Sequence, residues 1–491
     1  MTETWQSRTS FILASIGSAI GLGNIWRFPY ICYANGGGAF LIPYFIALFT
    51  AGIPLMILEF SLGHYFSAPA PMALGRVRRP FEVLGWFALL VGFGICTYYA
   101  VVMGWCFDYL GLAIKKAWGE NTQEFFFNNF LKISSGPLEI GSIQGWIVLG
   151  LILSWIWIIA CIWKGPTTVG KVVYFTVTIP WIILIVFVIR GVTLPGAIEG
   201  LKFYLTPNFS KLLDYKVWLN AYSQVFFSLT IGFGVQITYA SCLPKKADVI
   251  NNAFLISLAD AATAFIGGFA VFATLGYYAL KTGLPVERVV ASGPQLAFVT
   301  YPTIINLLPI GSIVFGVLFF VMLLTLGIDS AFSLVEAGAA GIKEKFNLDR
   351  TKVNIGFGIV ALLIGIIYTT RGGLYWLDIV DYFMNNFGLM IVALLQCIFI
   401  GYFYNLRSLR DYANNQSDFS IGPWWDFCIK FLTPVVLVFL VASNIIDRLR
   451  SSYGNYPRIA EFLGGWLLVI LFLIVSGILY HQKQSNKIKR H

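Results

Sequence analysis

The chain has 491 residues, 58% hydrophobic and 11% charged, with a mean hydropathy of +0.77 and a formal net charge of 33 − 23 = +10. A soluble domain carries about 25% charged residues, so the composition excludes a water-soluble globular protein and points to an all-α polytopic membrane protein. The basic excess sits in short loops, where it sets topology and is no sign of a nucleic-acid partner. The 7 Cys fall mostly within apolar runs without Cys-x-x-Cys spacing, and the 3 His, at 64, 481 and 491, are too scattered for a metal site.

The first apolar run covers roughly residues 9–33. That is enough for a spanning helix, which needs about 20 residues, and too long for a cleavable signal peptide. Its middle reads Gly17-Ser18-Ala19-Ile20-Gly21-Leu22-Gly23-Asn24-Ile25-Trp26-Arg27-Phe28-Pro29. Clustered glycines let the backbone leave the α region. Unwound backbone at membrane depth is tolerated only where it is buried in protein or lines a cavity. Arg27 is costly there unless a carboxylate answers it. The stretch reads as a broken spanning helix whose freed backbone groups coordinate a ligand, in preference to a glycine-packed crossing with a snorkelling Arg.

Eleven further apolar spans follow, at about 38–67, 81–115, 144–163, 168–190, 217–241 and 248–280, then 309–346, 352–369, 374–405, 424–446 and 458–481. The total is twelve transmembrane helices. The sixth is interrupted by Phe226-Phe227-Ser228-Leu229-Thr230-Ile231-Gly232-Phe233-Gly234. Two such interruptions in corresponding halves point to a binding site at the membrane midplane of a transporter. With twelve spans, Arg76, Arg78, Arg79, Lys245, Lys246, Lys343, Lys345, Arg350, Lys352, Arg407, Arg410 and the tail residues Lys483, Lys487, Lys489 and Arg490 all fall on one side. Both termini are therefore expected to be cytoplasmic. The segment 283–308 is polar and long enough to form a lid or packed loop.

Three apparent motifs do not hold. The run Gly165 to Val172 nearly spells a phosphate-binding loop, but it ends in Val172 where a Mg²⁺-binding hydroxyl is needed and follows no strand. Gly21-Leu22-Gly23 lacks the third glycine and the βαβ setting of a dinucleotide site. No catalytic triad motif appears in a plausible setting, so an enzyme is not expected.

The run Gly17 to Pro29, the following Asn35-Gly36-Gly37-Gly38-Ala39-Phe40 and the Phe227-Ser228 stretch resemble the neurotransmitter:sodium symporters, from Trp5 to about Phe403. The likeness is greatest to the family's prokaryotic amino-acid transporters. It implies a 5+5 inverted repeat with broken helices 1 and 6, plus two C-terminal helices. The repeats would occupy residues 1–200 and 201–410, with 411–491 holding the last two helices and a cytoplasmic tail. It also implies symport of a neutral, hydrophobic amino acid with two sodium ions by alternating access.

By the same resemblance, one sodium site takes the carbonyl of Ala19 with Asn24, Ser228 and Asp260. The other takes carbonyls of Gly17, Ile20 and Leu326 with Asp329 and Ser330. The substrate carboxylate would meet Leu22, Gly23 and the Tyr99 hydroxyl, and its ammonium the carbonyls of Phe227 and Thr230. Gly21 stands where monoamine-carrying members have an acid, which points to an amino acid. Ser18, Ile95, Phe227, Phe233 and Leu334 would line an apolar side-chain pocket, next to Ala19, Ser228 and Ser330. Arg27 and Asp381 resemble an outer gate pair closing over Tyr99 and Phe227. Glu59, buried in the second span, is expected to accept from amides freed at the sixth-helix break.

At the inner end an Arg normally stands three residues before the position of Trp5. Here it is Thr2, which leaves Arg8 as a substitute beside Trp5 and Glu344. Chloride-requiring members have a site resembling Tyr44, Gln224 and Ser228. Here Asp260 stands where the family usually has Asn, so its carboxylate would supply the charge and chloride would not be required. An ion channel or a substrate-sensing receptor on the same fold remains the alternative. Short tails and the lack of a Cys pair in 116–142 suggest a prokaryotic plasma membrane; the oligomeric state is open.

Overall fold

The computed structural model describes residues 4–482. Thr2 and the basic tail from Lys483 to Arg490 lie outside the described residues. Among the described residues the chain is helical, with one isolated antiparallel bridge between Ile143 and Thr370. The chain opens with α1 (Arg8–Ala19) and α2 (Leu22–Ala34), an apolar pair bent by 50°. Ten helices are long and apolar enough to cross a membrane, and each falls on one of the expected runs. The first four are α3 (Gly37–Phe66), α4 (Arg79–Ala113), α5 (Gly145–Ile162) and α6 (Pro166–Val192). Next come α7 (Tyr215–Ser228) and α8 (Val235–Ser241), which flank non-helical backbone. The rest are α9 (Ile250–Thr282), α10 (Ser312–Phe346), α11 (Arg350–Thr369), α12 (Gly373–Phe403), α13 (Pro423–Asn455) and α14 (Arg458–His481).

Local signals explain where several helices start. Ser7 and Ser10 form a capping box on α1, with Ser10 N–H donating to Ser7 Oγ at 3.1 Å and Ser7 N–H to Ser10 Oγ at 3.2 Å. Asp214 caps α7 and Asp349 caps α11 by accepting from Lys216 and Lys352 amides.

The first break is narrower than the glycine cluster suggests. Ile20 is extended, with ψ 105°, and Gly21 has φ −129° and ψ −167°, a conformation open to any residue. Gly17 and Gly23 remain helical. All three glycines serve close approach instead of backbone freedom. A Cβ on Gly17 would lie 2.7 Å from Asp329 Oδ2, one on Gly21 2.8 Å from Ser330 Oγ, and one on Gly23 2.6 Å from Phe227 Cε1. The second break does use backbone freedom: Thr230, Gly232 and Gly234 have φ of 54°, 85° and 72°.

Small residues also bring the long helices together. α4 packs along α10 and α5, and α3 along α8. At the α4–α5 crossing, a Cβ on Gly104 would lie 2.8 Å from the Gly150 carbonyl carbon. A Cβ on Gly63 of α3 would overlap the carbonyl oxygen of Ile237 in α8. The segment 283–308 is a packed loop, with short helical turns, buried Leu296 and Phe298, and the Tyr277 hydroxyl donating to Leu307 O at 2.5 Å. Two ion pairs join the basic segment around the start of α4 to the end of α10: Arg76 lies 3.7 Å from Glu344, and Lys345 2.6 Å from Glu82.

Gly63→Val is expected to destabilise the fold by about 1–3 kcal/mol, as overpacking does. The check is the thermal melt of purified protein in detergent, where an unchanged Tm would contradict this backbone approach.

Candidate functional site at the two helix breaks

The breaks face each other, and side chains from other helices complete them. The amide of Gly21, which a continuous helix would aim at Gly17, donates to Asn24 Oδ1 at 3.0 Å. The Leu22 amide points at the Tyr99 hydroxyl of α4, at a long 3.5 Å. The freed carbonyl of Ser18 accepts from Thr230 Oγ1 at 2.8 Å and from Ser330 Oγ at 3.3 Å. This ties the first break to the second and to α10. At the second break, Glu59 Oε1 accepts from Gly232 N–H at 2.8 Å. The carbonyl of Phe227 is not bare: Thr230 N–H reaches it at 3.4 Å.

One oxygen-rich cluster joins α2, α7 and α9. Asp260 is fully buried, and each carboxylate oxygen takes a bond: Oδ1 from Asn24 Nδ2 at 2.7 Å and Oδ2 from Ser228 Oγ at 2.7 Å. A second cluster lies where α1 meets α10. Asp329 Oδ2 faces Gly17, and Oδ1 accepts from Thr176 Oγ1 of α6 at 2.5 Å. Ser330 is the next residue along. Ile20 and Ala19 end α1 beside both clusters, and Leu326 is buried one turn before Ser330. Each cluster thus combines one carboxylate with neutral oxygens, the donor set a hard cation prefers.

Between the clusters the surroundings divide into polar and apolar halves. Gly21, Ser330 and Tyr99 converge, since a Cβ on Gly21 would sit 3.3 Å from Tyr99 Oη. Phe227 covers Gly23, and the Arg27 guanidinium lies over the Phe227 ring, 4.4 Å from its centroid. Leu334 and Phe233 both face Gly92 of α4, and Ile95 is buried less than one turn further on. Ser18 Oγ donates to Ser333 Oγ at 2.9 Å.

The outer pair is arranged differently from the expectation. Arg27 and Asp381 make no direct ion pair among the described residues. Asp381 Oδ1 instead accepts from the Tyr98 hydroxyl at 2.5 Å and from Asn385 Nδ2 at 2.9 Å. The Arg27 guanidinium lies over the face of Phe227 and makes a cation–π contact there. At the opposite end Trp5 is buried and its indole donates to Tyr239 O at 2.8 Å. Arg8 Nε donates to Asn252 Oδ1 at 3.0 Å, and Arg8 Nη2 lies 3.7 Å from Asp248. Glu344 lies 3.7 Å from Arg76.

Sequence reasoning missed Thr176, Tyr98, Asn385, Ser333 and Gly92. Each is a single polar or small residue inside an apolar helix, and its role shows only in the partner the fold gives it, across the bundle for Thr176, Tyr98, Ser333 and Gly92 and one turn back along α12 for Asn385.

The profile described as "Sodium:neurotransmitter symporter family" matches residues 2–122 and 113–486. An uncharacterized sodium-dependent transporter of Methanocaldococcus jannaschii is 44% identical, over 98% of this chain and 98% of its own. The human sodium- and chloride-dependent GABA transporter 2 is 34% identical, over 96% of this chain and 85% of its own. The rat sodium- and chloride-dependent taurine transporter is also 34% identical, over 96% and 83%.

The cation–π cover is testable by a double-mutant cycle with Arg27→Gln and Phe227→Leu. Thermal unfolding of the single and double variants should yield a coupling of about 0.5–2 kcal/mol. Strictly additive effects would mean that the contact contributes nothing.

Proposed function

The chain belongs to the sodium:neurotransmitter symporter family, a family of sodium-dependent multi-pass membrane transporters, and from that premise we propose that it carries a neutral, hydrophobic amino acid with two sodium ions by alternating access. The ten long apolar helices and the bent pair α1–α2 make eleven spans among the described residues; we read α7 and α8 as a twelfth, broken one and divide the twelve into two inverted repeats of five (1–200 and 201–410) followed by two more (411–491). An even count with basic loops on one side supports cytoplasmic termini in a prokaryotic plasma membrane.

The observation that carries this reading is the pair of one-carboxylate clusters at the breaks. The first sodium would take Ala19 O, Asn24, Ser228 and Asp260, and the second the carbonyls of Gly17, Ile20 and Leu326 with Asp329 and Ser330. Both ions are cargo, and both need backbone oxygens that a continuous helix would have used internally. The substrate carboxylate would sit at the Leu22 and Gly23 amides at the start of α2, where the Leu22 amide has only a long contact to the Tyr99 hydroxyl. Its ammonium would meet carbonyls at Phe227 and Thr230. Its side chain would enter the space bounded by Ile95, Phe233, Leu334 and Ser18, which favours an apolar group. The absence of a Cβ on Gly21 leaves room for the carboxylate beside Ser330.

The chloride requirement in the names of the GABA and taurine relatives belongs to those proteins. Here the Asp260 carboxylate already stands beside the first cluster, so we read transport as chloride-independent. One observation favours the opposite reading: the Tyr44 hydroxyl and the Gln224 amide are buried without partners, as groups awaiting an anion would be. Replacing chloride with gluconate in liposomes decides between them. Sodium-driven uptake should persist; a large loss assigns Tyr44 and Gln224 to chloride and overturns the charge-substitution argument.

Two further outcomes test the site. Asp329→Ala should weaken sodium dependence at least tenfold, equivalent to about 1.4 kcal/mol; full transport at unchanged sodium dependence would remove the second sodium assignment. In uptake competition across the common amino acids, neutral apolar side chains should compete best, and selection of charged ones would refute the pocket reading.

A further inference from the structure

A groove of about 470 Å³ opens between α4, α10, α11 and α14. Its walls are apolar, with Trp86 and Phe93 from α4, Phe357 from α11 and Leu479 from α14. Lys352 is the one charged residue among the described residues that line it. That ammonium has no carboxylate partner among the described residues, while neighbouring charges are paired: Arg350 with Glu336 at 2.7 Å and Lys345 with Glu82 at 2.6 Å.

The groove is built, not left over from loose packing. Trp86 Nε1 donates to Glu82 Oε1 at 3.0 Å, and the same oxygen takes Lys345 Nζ, which also reaches Tyr480 O at 3.4 Å. This network pins α4, α10 and α14 at one end. Phe357 is seated on Gly338 and meets Phe93 edge-on, with centroids 5.0 Å apart. Gly356 has no atom within 4 Å of where its Cβ would be, so the wall has an open notch at that point. An apolar hollow facing hydrocarbon loses dispersion contacts unless something fills it. Its only charge lies in the first turn of α11, at the end where the chain leaves the bilayer.

We propose that this groove binds one acyl chain of an anionic phospholipid, with the headgroup phosphate on Lys352. A zwitterionic headgroup brings its own cation to compete for that phosphate, so the unpaired ammonium selects lipids of net negative charge. The assignment to the cytoplasmic leaflet rests on the orientation proposed above; the groove and its ligand do not. The site lies outside the transport pathway, so its failure and the failure of the transport reading are separable.

The test is a titration of delipidated protein with phosphatidylglycerol or phosphatidylcholine, read by native mass spectrometry and by thermal stabilisation. The unmodified protein should retain one phosphatidylglycerol that Gly356→Leu does not, because the leucine projects into the notch, where its Cβ meets no other atom. Lys352→Gln should lower phosphatidylglycerol affinity about five- to tenfold and bring it level with phosphatidylcholine. Sodium-driven uptake in both variants checks that they fold, since neither residue touches the breaks. Equal retention of phosphatidylglycerol by the unmodified protein and Gly356→Leu would overturn the proposal, as would a lack of headgroup preference in the unmodified protein. Conversion of a dimer to a monomer by Gly356→Leu, with lipid retention unchanged, would instead make the groove the seat of a second copy of the chain.

Discussion

Every backbone N–H and C=O released inside hydrocarbon has to find another partner. Both helix breaks are organised by that requirement. Asn24 takes the Gly21 amide, Thr230 and Ser330 supply the Ser18 carbonyl, and Glu59 takes the Gly232 amide. Gln236 reaches the Leu229 carbonyl at 3.5 Å. Asn24 and Gln236 are local, but Thr230, Ser330 and Glu59 come from distant parts of the chain, so neither break is a purely local feature. Each exists because α3, α10 and the opposite break are in place. A site assembled this way can use leftover carbonyls for an ion while the remaining groups stay paired.

The two ends of the pathway are closed by different physics. At the N-terminal end Trp5 is inserted in the core and fixed by its indole, and Arg8 ties α1 to α9 through Asn252. At the outer end one ring and one guanidinium lie over the site. A stacked cation keeps much of its attraction as it slides across a ring face, whereas a hydrogen bond is lost when its angle changes. The outer cover therefore tolerates small displacements that the inner one does not.

Much of the architecture could be read from the chain, because apolar runs separated by basic turns carry a strong signal. Ten spans fell on the expected runs, and both breaks were expected near their observed places. The cause assigned to the first break was wrong in detail. Gly17, Gly21 and Gly23 look like a flexible hinge in sequence, yet their backbones are helical or ordinary extended, and what they provide is room for Asp329, Ser330 and Phe227. Composition cannot tell a glycine that bends from one that makes space. For a similar reason Arg27 and Asp381 looked like an ion pair. Opposite charges in opposite halves suggest contact, but no direct pair forms among the described residues, and Asp381 Oδ1 accepts instead from Tyr98 and Asn385, two residues in apolar helices.

The contact between Gly63 and the Ile237 carbonyl has a bearing on how motion can be measured. α3 and α8 meet there backbone to backbone, and Glu59, one turn before Gly63, holds the Gly232 amide at the start of the same segment. With no side chain between them to change rotamer, the two helices have little freedom to slide past one another. They form a single lever arm. A pair of probes placed across α3 and α8 would record a constant separation through a transport cycle. That makes the pair a fixed internal ruler against which displacements of α10 and α4 can be calibrated.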